Sequence, residues 1–219
     1  LSIILNSYIM AEQTYLEKLK DAVGTSNVTA QAKAAINWFR SLIENYGVTG
    51  LRGKFTNETP ESILARHKEY SPQAYLGNMY FFYYNPKHKK TLPWYDTFPL
   101  VFPVDLYPDG FLGLNFHYLA PKDRAILMDQ LKEFSNNQNY DDTTKLRLTY
   151  SMLKGYMSGR VKRARPTIHR YLNGFVKSQF IQVSANEWES ALFLPVERFR
   201  SQTQSVNNEA VWKHSRERF

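Results

Sequence analysis

Between residues 27 and 46 the apolar positions recur once per helical turn. Ala32, Ala35, Ile36, Phe39, Leu42, Ile43 and Tyr46 fall on one face, with Thr29 to cap the start and Gly47 to stop the run. A weaker pattern of the same period covers 12–23 and ends at Gly24. Pro60 lacks the N–H that a first helical turn leaves unbonded, so it opens a third helix over 60–70. The intervening 48–59, rich in glycine and threonine, reads as a loop. An N-terminal helical region over 11–76 is therefore expected.

The period changes at Gly77. Met79-Tyr-Phe-Phe-Tyr-Tyr84 is an unbroken aromatic run with the composition of a buried strand. A polar loop follows, containing Pro86, Lys87, His88, Lys89, Lys90, Pro93 and Trp94. Two strand-like runs flank Pro108-Asp109-Gly110 and predict a β-hairpin over 100–118, with Gly110 in the left-handed position of the turn. Leu100, Phe102, Val104 and Leu106 share one face of its first strand. Pro103 cannot donate to a ladder and makes that strand an edge or a bulged one.

Further along, helical patterns cover 121–134, with Ile126, Leu127, Leu131 and Phe134 inward, and the segment from Asp142 or Thr143 to Gly159. Pro166 opens a short helix holding Ile168, Tyr171, Leu172 and Phe175. Residues 180–183 form a strand, Ser184-Ala-Asn-Glu187 is a capping box for a helix through Trp188, and 192–196 is extended. The remaining 201–219 is polar, a tail that is flexible or orders on assembly. The expected class is α+β: N-terminal helices, then a core over 77–200 built on a small antiparallel sheet or an SH3-like barrel with a helical insertion.

The 219 residues suffice for one sizeable core, and 15% aromatic residues mark a folded chain. With no cysteine, disulfides, cysteine-bound zinc and thiol catalysis are excluded. Residues 1–10 are apolar but carry no positive n-region and are broken by Asn6, so neither a signal peptide nor a membrane anchor is expected. Met10-Ala11-Glu12 has the look of an ordinary start, which leaves Leu1 and Met10 as alternative beginnings.

Charge alters the picture more. Of the 28 basic residues, 9 lie between 143 and 186, where there is no Asp or Glu; the rest of the chain balances 19 basic against 20 acidic residues. The net charge of +8 is therefore local, which points to a polyanionic partner. The candidate contacts are Lys154, Arg160, Lys162, Arg163, Arg165, Arg170 and Lys177, which would neutralise phosphates without reading sequence. An acidic protein surface would satisfy the same charges. Tyr156, His169 and Tyr171 lie close enough in sequence to stack on bases, although tyrosines at such spacings also build cores.

Catalytic chemistry finds no foothold. His67, His88, His117, His169 and His214 are isolated, without metal-ligand spacing, and His117 reads as a polar-face or satisfied core histidine. No phosphate-binding loop, nucleophile elbow or dinucleotide fingerprint occurs. Asp109 has no Glu-x-Lys downstream to complete a nuclease site, and Asp141-Asp142 suit a helix start. A non-enzymatic protein without cofactor is expected.

Several blocks resemble a virion protein of T-even-type tailed phages. They are Met79–Tyr84, Asn85-Pro-Lys-His-Lys89, Thr91-Leu-Pro-Trp-Tyr-Asp96, Phe98-Pro-Leu-Val101, Asp109-Gly-Phe-Leu-Gly-Leu-Asn-Phe-His-Tyr118, Arg165-Pro-Thr-Ile-His-Arg-Tyr171 and the run from Glu187 to Phe199. The resemblance covers 79–200 and is to the DNA end protector, or head-completion, family of these myoviruses. It implies a structural protein of the virion, assembled in the host cytoplasm and away from membranes. Its implied partners are ends of double-stranded DNA, bound independently of sequence, and other phage head, neck or tail proteins. A tail or baseplate assembly protein of the same particles is the alternative.

Overall fold

The aromatic run at 79–84 lies at the centre of a computed structural model that describes residues 13–23, 37, 59–66, 70–135, 137–157, 162–184, 187–202 and 206–217. The helix expected over 27–46 lies outside the described residues but for Asn37, and so does the stop at Gly159. In chain order the strands are β1 (Tyr70–Ser71), β2 (Met79–Phe81), β3 (Tyr95–Asp96), β4 (Leu100–Tyr107), β5 (Gly110–Asn115), β6 (Ile168–Leu172), β7 (Phe180–Val183) and β8 (Phe199–Arg200). Six form one antiparallel sheet in the order β1-β7-β2-β4-β5-β6, and β3 pairs with β8 in a separate ribbon.

The class is α+β, as expected. The sheet is open, with β1 and β6 at its edges, so the barrel alternative does not hold for the described residues.

Aromatic residues run without interruption because the sheet is buried on both faces. Met79 and Phe81 join Leu100, Phe102, Leu114 and Ile181 in the main core, under helices Tyr15–Val23, Pro121–Ser135 and Trp188–Phe193. Tyr80 and Phe82 point the other way, into a smaller aromatic cluster with Tyr84, Phe111, Tyr171 and Phe180. There Phe82 meets Phe180 edge-on with ring centroids 4.9 Å apart, and Tyr171 likewise at 5.3 Å. Such edge-to-face packing is favourable beyond the area it buries.

Pro103 leaves its mark as a bulge: the β4–β5 register shifts between Pro103 and Asp105. β4 is not an edge strand, but β2 pairs only with Leu100 and Val101. Past that point the carbonyl of Val104 accepts from the Tyr150 hydroxyl at 2.9 Å, so a helix side chain satisfies the ladder where the partner strand ends.

Several local expectations are corrected. Gly110 does not have a positive φ; among the described glycines only Gly77 does, at 82°. Gly110 is required by close approach instead, since a Cβ there would lie 1.9 Å from the Tyr171 carbonyl oxygen of β6. β5 stops at Asn115 because the Asn115 side chain takes the His117 N–H at 3.0 Å, turning 116–118 into a 3₁₀ turn. The helix expected from Pro166 is a 3₁₀ segment, Lys162–Thr167, followed by β6, whose residues pair in register with β5.

The Pro60 helix is described over Pro60–Arg66, and Tyr70, expected at its end, instead begins β1. Asp141, not Asp142 or Thr143, caps the Asp142–Met157 helix, its Oδ1 accepting from Thr144 N at 2.6 Å. Leu192 and Phe193, expected to be extended, end the Trp188–Phe193 helix. Within the polar tail, Asn208–Glu217 is a helix that buries Val211 and Trp212.

Gly110→Ala should lower stability by about 1–3 kcal/mol, the range typical of overpacking, because the backbone on both sides must move. Gly174→Ala, which meets nothing within 4 Å, should stay within about 0.5 kcal/mol of wild type. Denaturant melts of both variants would check the pair.

Candidate functional site

Against the β6 edge of the sheet lies a cavity of about 470 Å³, framed by the loop after Tyr84, by β3 and by β6. Its inner wall is buried: Asp96, Asn115, Tyr118 and Tyr171. Its mouth is formed by exposed side chains, Lys87, His88, Leu92 and Arg170, with Trp94 half-buried between them.

The mouth is built on a turn that closes on itself. His88 O accepts from Thr91 N at 2.9 Å and from Leu92 N at 3.1 Å, and Lys89 Nζ donates to Asn85 Oδ1 at 3.1 Å. Gln202 Nε2 donates to Lys90 O and ties the turn to the segment after β8. The run from Lys87 to Lys90 is therefore exposed but held.

At the back, the Asp96 carboxylate accepts from Phe98 N at 3.0 Å and from Asn115 Nδ2 at 3.2 Å, and His117 Nδ1–H donates to it at 2.6 Å. Burial alone would push this carboxyl up, but the His117 imidazole and these hydrogen bonds outweigh it and hold its pKa below the usual value. Asp96 is thus an anion at the cavity floor. His117 itself is a core residue, as its sequence setting suggested, although its Nε2 has no hydrogen-bond partner among the described residues.

Behind His117 stands Arg124, each of whose nitrogens is bonded. Its Nε donates to Leu119 O at 3.0 Å, and its terminal nitrogens reach Leu192 O at 3.0 Å, His117 O at 3.2 Å and Glu197 Oε1 at 2.5 Å. Trp212 Nε1 donates to the same His117 carbonyl at 2.8 Å, which is how the C-terminal helix docks.

The other titratable wall groups are neutral. Burial raises the Tyr118 and Tyr171 phenols, and burial pushes the His169 imidazole down to about 4. His169 Nε2–H donates to Pro166 O at 2.8 Å, which sets its tautomer, and its ring lies 4.3 Å from that of Tyr118. The permanent charge is therefore divided, with an anion inside and cations at the mouth.

Of the predicted cations, Arg170 is at this mouth. Its charge is not free: it pairs with Asp109, across the sheet on the neighbouring hairpin, and its guanidinium carbon sits 3.8 Å above the Tyr107 ring centre. The acid-free stretch is thus acid-free along the chain but not in space. Lys162, Arg163 and Arg165 belong to the Lys162–Thr167 turn that leads into β6, and Arg165 is exposed. Lys154 is exposed in the last turn of the Asp142–Met157 helix, which packs against that segment. Lys177, also exposed, follows Val176, the bridge partner of the cavity residue Tyr84. Arg160 lies outside the described residues.

The cations that sequence counting passed over are Lys87 and its neighbours. Their signal is a basic run set directly between an aromatic strand and Trp94-Tyr95.

A family model described as phage T4 terminal DNA protecting protein matches residues 52–215, well over half of the chain. The chain belongs to this family. The match takes in both the cavity and the basic stretch, and it reaches beyond 79–200 to include the C-terminal helix that docks on His117. The family description concerns a phage protein and the termini of DNA. No curated protein and no solved structure matched the chain. Among the described residues, no helix is long and apolar enough to cross a membrane.

Glu197→Ala would leave the buried Arg124 guanidinium without its counter-ion and should cost about 3–5 kcal/mol, read as a lowered unfolding free energy. A second expectation concerns pH. His169 has an ordinary pKa near 6.5 when unfolded and about 4 when folded, so between these values the unfolded chain binds a proton that the folded one refuses. Stability should fall on acidification from about pH 6.5 to 4, by at most about 3 kcal/mol. Asp96 adds its own loss only below its ordinary pKa, as the carboxylate protonates. Denaturant titrations across this range should show a flatter profile for His169→Gln.

Proposed function

We propose that this chain is a non-catalytic structural protein of the phage particle that binds and shields the ends of packaged double-stranded DNA as the head is completed. The observation that carries the reading is the family match over residues 52–215. The charge distribution agrees with it: cations without an equal number of acids are gathered on 154–177, and a second group is held on the 87–90 turn.

Lys154, Arg160, Lys162, Arg163, Arg165, Arg170 and Lys177 are the proposed phosphate contacts. Phosphates are the same at every base pair, so such contacts confer affinity and not sequence choice. Each neutralised phosphate releases counterions, and binding weakens as salt rises. A folded protein seated on the terminus would exclude exonucleases by bulk, and the mechanism calls for no cofactor. The other partners on this reading are head, neck or tail proteins of the particle, which is assembled in the host cytoplasm.

Binding to linear duplex DNA should fall steeply between low and moderate salt. Replacing Arg160, Lys162, Arg163 and Arg165 together by glutamine should reduce the slope of log affinity against log salt by about 3–4, near one unit per lost phosphate contact. Salt-insensitive binding, or an unaltered slope in the variant, would sink the assignment. A chain that ignores DNA and sediments with tail subassemblies would instead be an assembly protein working through protein contacts.

A further inference from the structure

Contacts to internal phosphates alone cannot tell the end of a duplex from its middle, because the internal backbone repeats unchanged along it. The cavity can. The geometry points to a binding site for the terminal nucleotide of a DNA strand, taken out of the duplex end with its base inside the cavity and its phosphate at the mouth. This inference rests on the DNA-end reading above and supplies the part of it that surface charge cannot.

Size is the first constraint. A volume of about 470 Å³ falls in the range of small-molecule sites and suits one nucleotide, while a duplex is too broad to enter. A base can therefore reach the inner wall only by leaving the stack. Extrusion is least costly where pairing and stacking are weakest, and the last base pair has one stacking neighbour instead of two.

Lining chemistry is the second. Trp94, Tyr95 and His169 line the cavity with partly exposed rings, and the buried rings of Tyr118 and Tyr171 close its inner wall; any base can lie on a ring whatever its identity. Neutral His169 and un-ionised Tyr118 and Tyr171 add no charge that would discriminate between bases.

The division of charge sets the orientation. Asp96 at the floor would repel a phosphate but accepts hydrogen bonds from a base amino group, a ring N–H or a sugar hydroxyl. Three donors, from Phe98, Asn115 and His117, already bond it and hold it in a fixed position. Lys87 at the mouth attracts the phosphate, beside an Arg170 already paired with Asp109. A nucleotide entering base first satisfies both; one entering phosphate first satisfies neither.

The experiment uses the full chain, a linear duplex, and the same duplex closed at both ends by hairpin loops. Open DNA should bind at least tenfold more tightly than closed DNA, and 5-iodouracil at the terminal position, but not at an internal one, should photocrosslink to peptides containing residues 84–96 or 168–172. Trp94→Ala, which removes a ring from the wall, and Leu92→Glu, which sets a carboxylate at the exposed mouth, should abolish the preference for open ends while leaving binding to closed DNA intact. Leu92→Glu alters only an exposed position and keeps the test valid if the tryptophan variant fails to fold. Equal affinity for open and closed DNA, or crosslinks confined to other peptides, overturns the terminal-nucleotide site and leaves the DNA-binding reading standing. No binding to either DNA overturns both.

Discussion

Two carboxylates, Asp96 and Glu197, are buried together with His117 and Arg124, and the site cannot be assembled without them. Removing such charges from water is costly, and the cost is offset only when every charge has a partner and its remaining hydrogen-bonding groups are met. Here the pairing joins segments that are remote along the chain: the ribbon strand at 95–96, the turn after β5, the Pro121–Ser135 helix and the segment before β8. The Trp212 indole then adds the C-terminal helix to the same carbonyl that Arg124 binds. A polar cluster of this kind tolerates little displacement, since shifting one member leaves another charge buried and unpaired. That is why Asp96 can be an ionised floor for a cavity instead of a neutral acid.

The sheet supplies the complementary rigidity. Successive residues of the 79–84 run alternate between two apolar faces, so a single strand feeds both the main core and the aromatic cluster behind the cavity. Tyr84 and Tyr171, members of that cluster, also line the cavity, and their rings pack 4.9 Å apart. The wall is therefore an extension of the core, and its rings are held before any ligand arrives. Ordering costs that a flexible aromatic loop would incur on binding are largely avoided.

Sequence patterning was most informative where structure is decided locally. The two helices at 121–135 and 142–157 and the hairpin show in it because periodicity and turn chemistry act over a few residues. It failed where a distant partner decides. Ile168, Tyr171, Leu172 and Phe175 have helical spacing, yet 168–172 is a strand because β5 offers it an unpaired edge. Val211 and Trp212 are too few to signal a helix in a polar tail; what orders that helix is a carbonyl nearly a hundred residues away. Gly110 looked like a turn glycine, but the reason for it is the Tyr171 carbonyl. The site was half visible in the same sense. Counting charges found Arg170 but could not show Asp109 beside it, and it could not bring Lys87 round to the same mouth.

Protection of a DNA end poses a recognition problem that differs from sequence reading. Base-edge contacts would tie the protein to one terminus sequence, and phosphate contacts would spread it along the whole genome. A property that distinguishes an end in any sequence is mechanical: the last pair is stacked on one side only. On the terminal-nucleotide proposal, an aromatic cavity with a fixed anion within and cations at its mouth would convert that property into binding energy without asking which base it holds. On the proposed reading the cations of 154–177 need only keep the protein near DNA, and their number bears on how long it stays and not on where it stops. On this division of labour the buried Asp96–His117–Arg124–Glu197 cluster, which touches no phosphate, governs end selection by holding the cavity in shape.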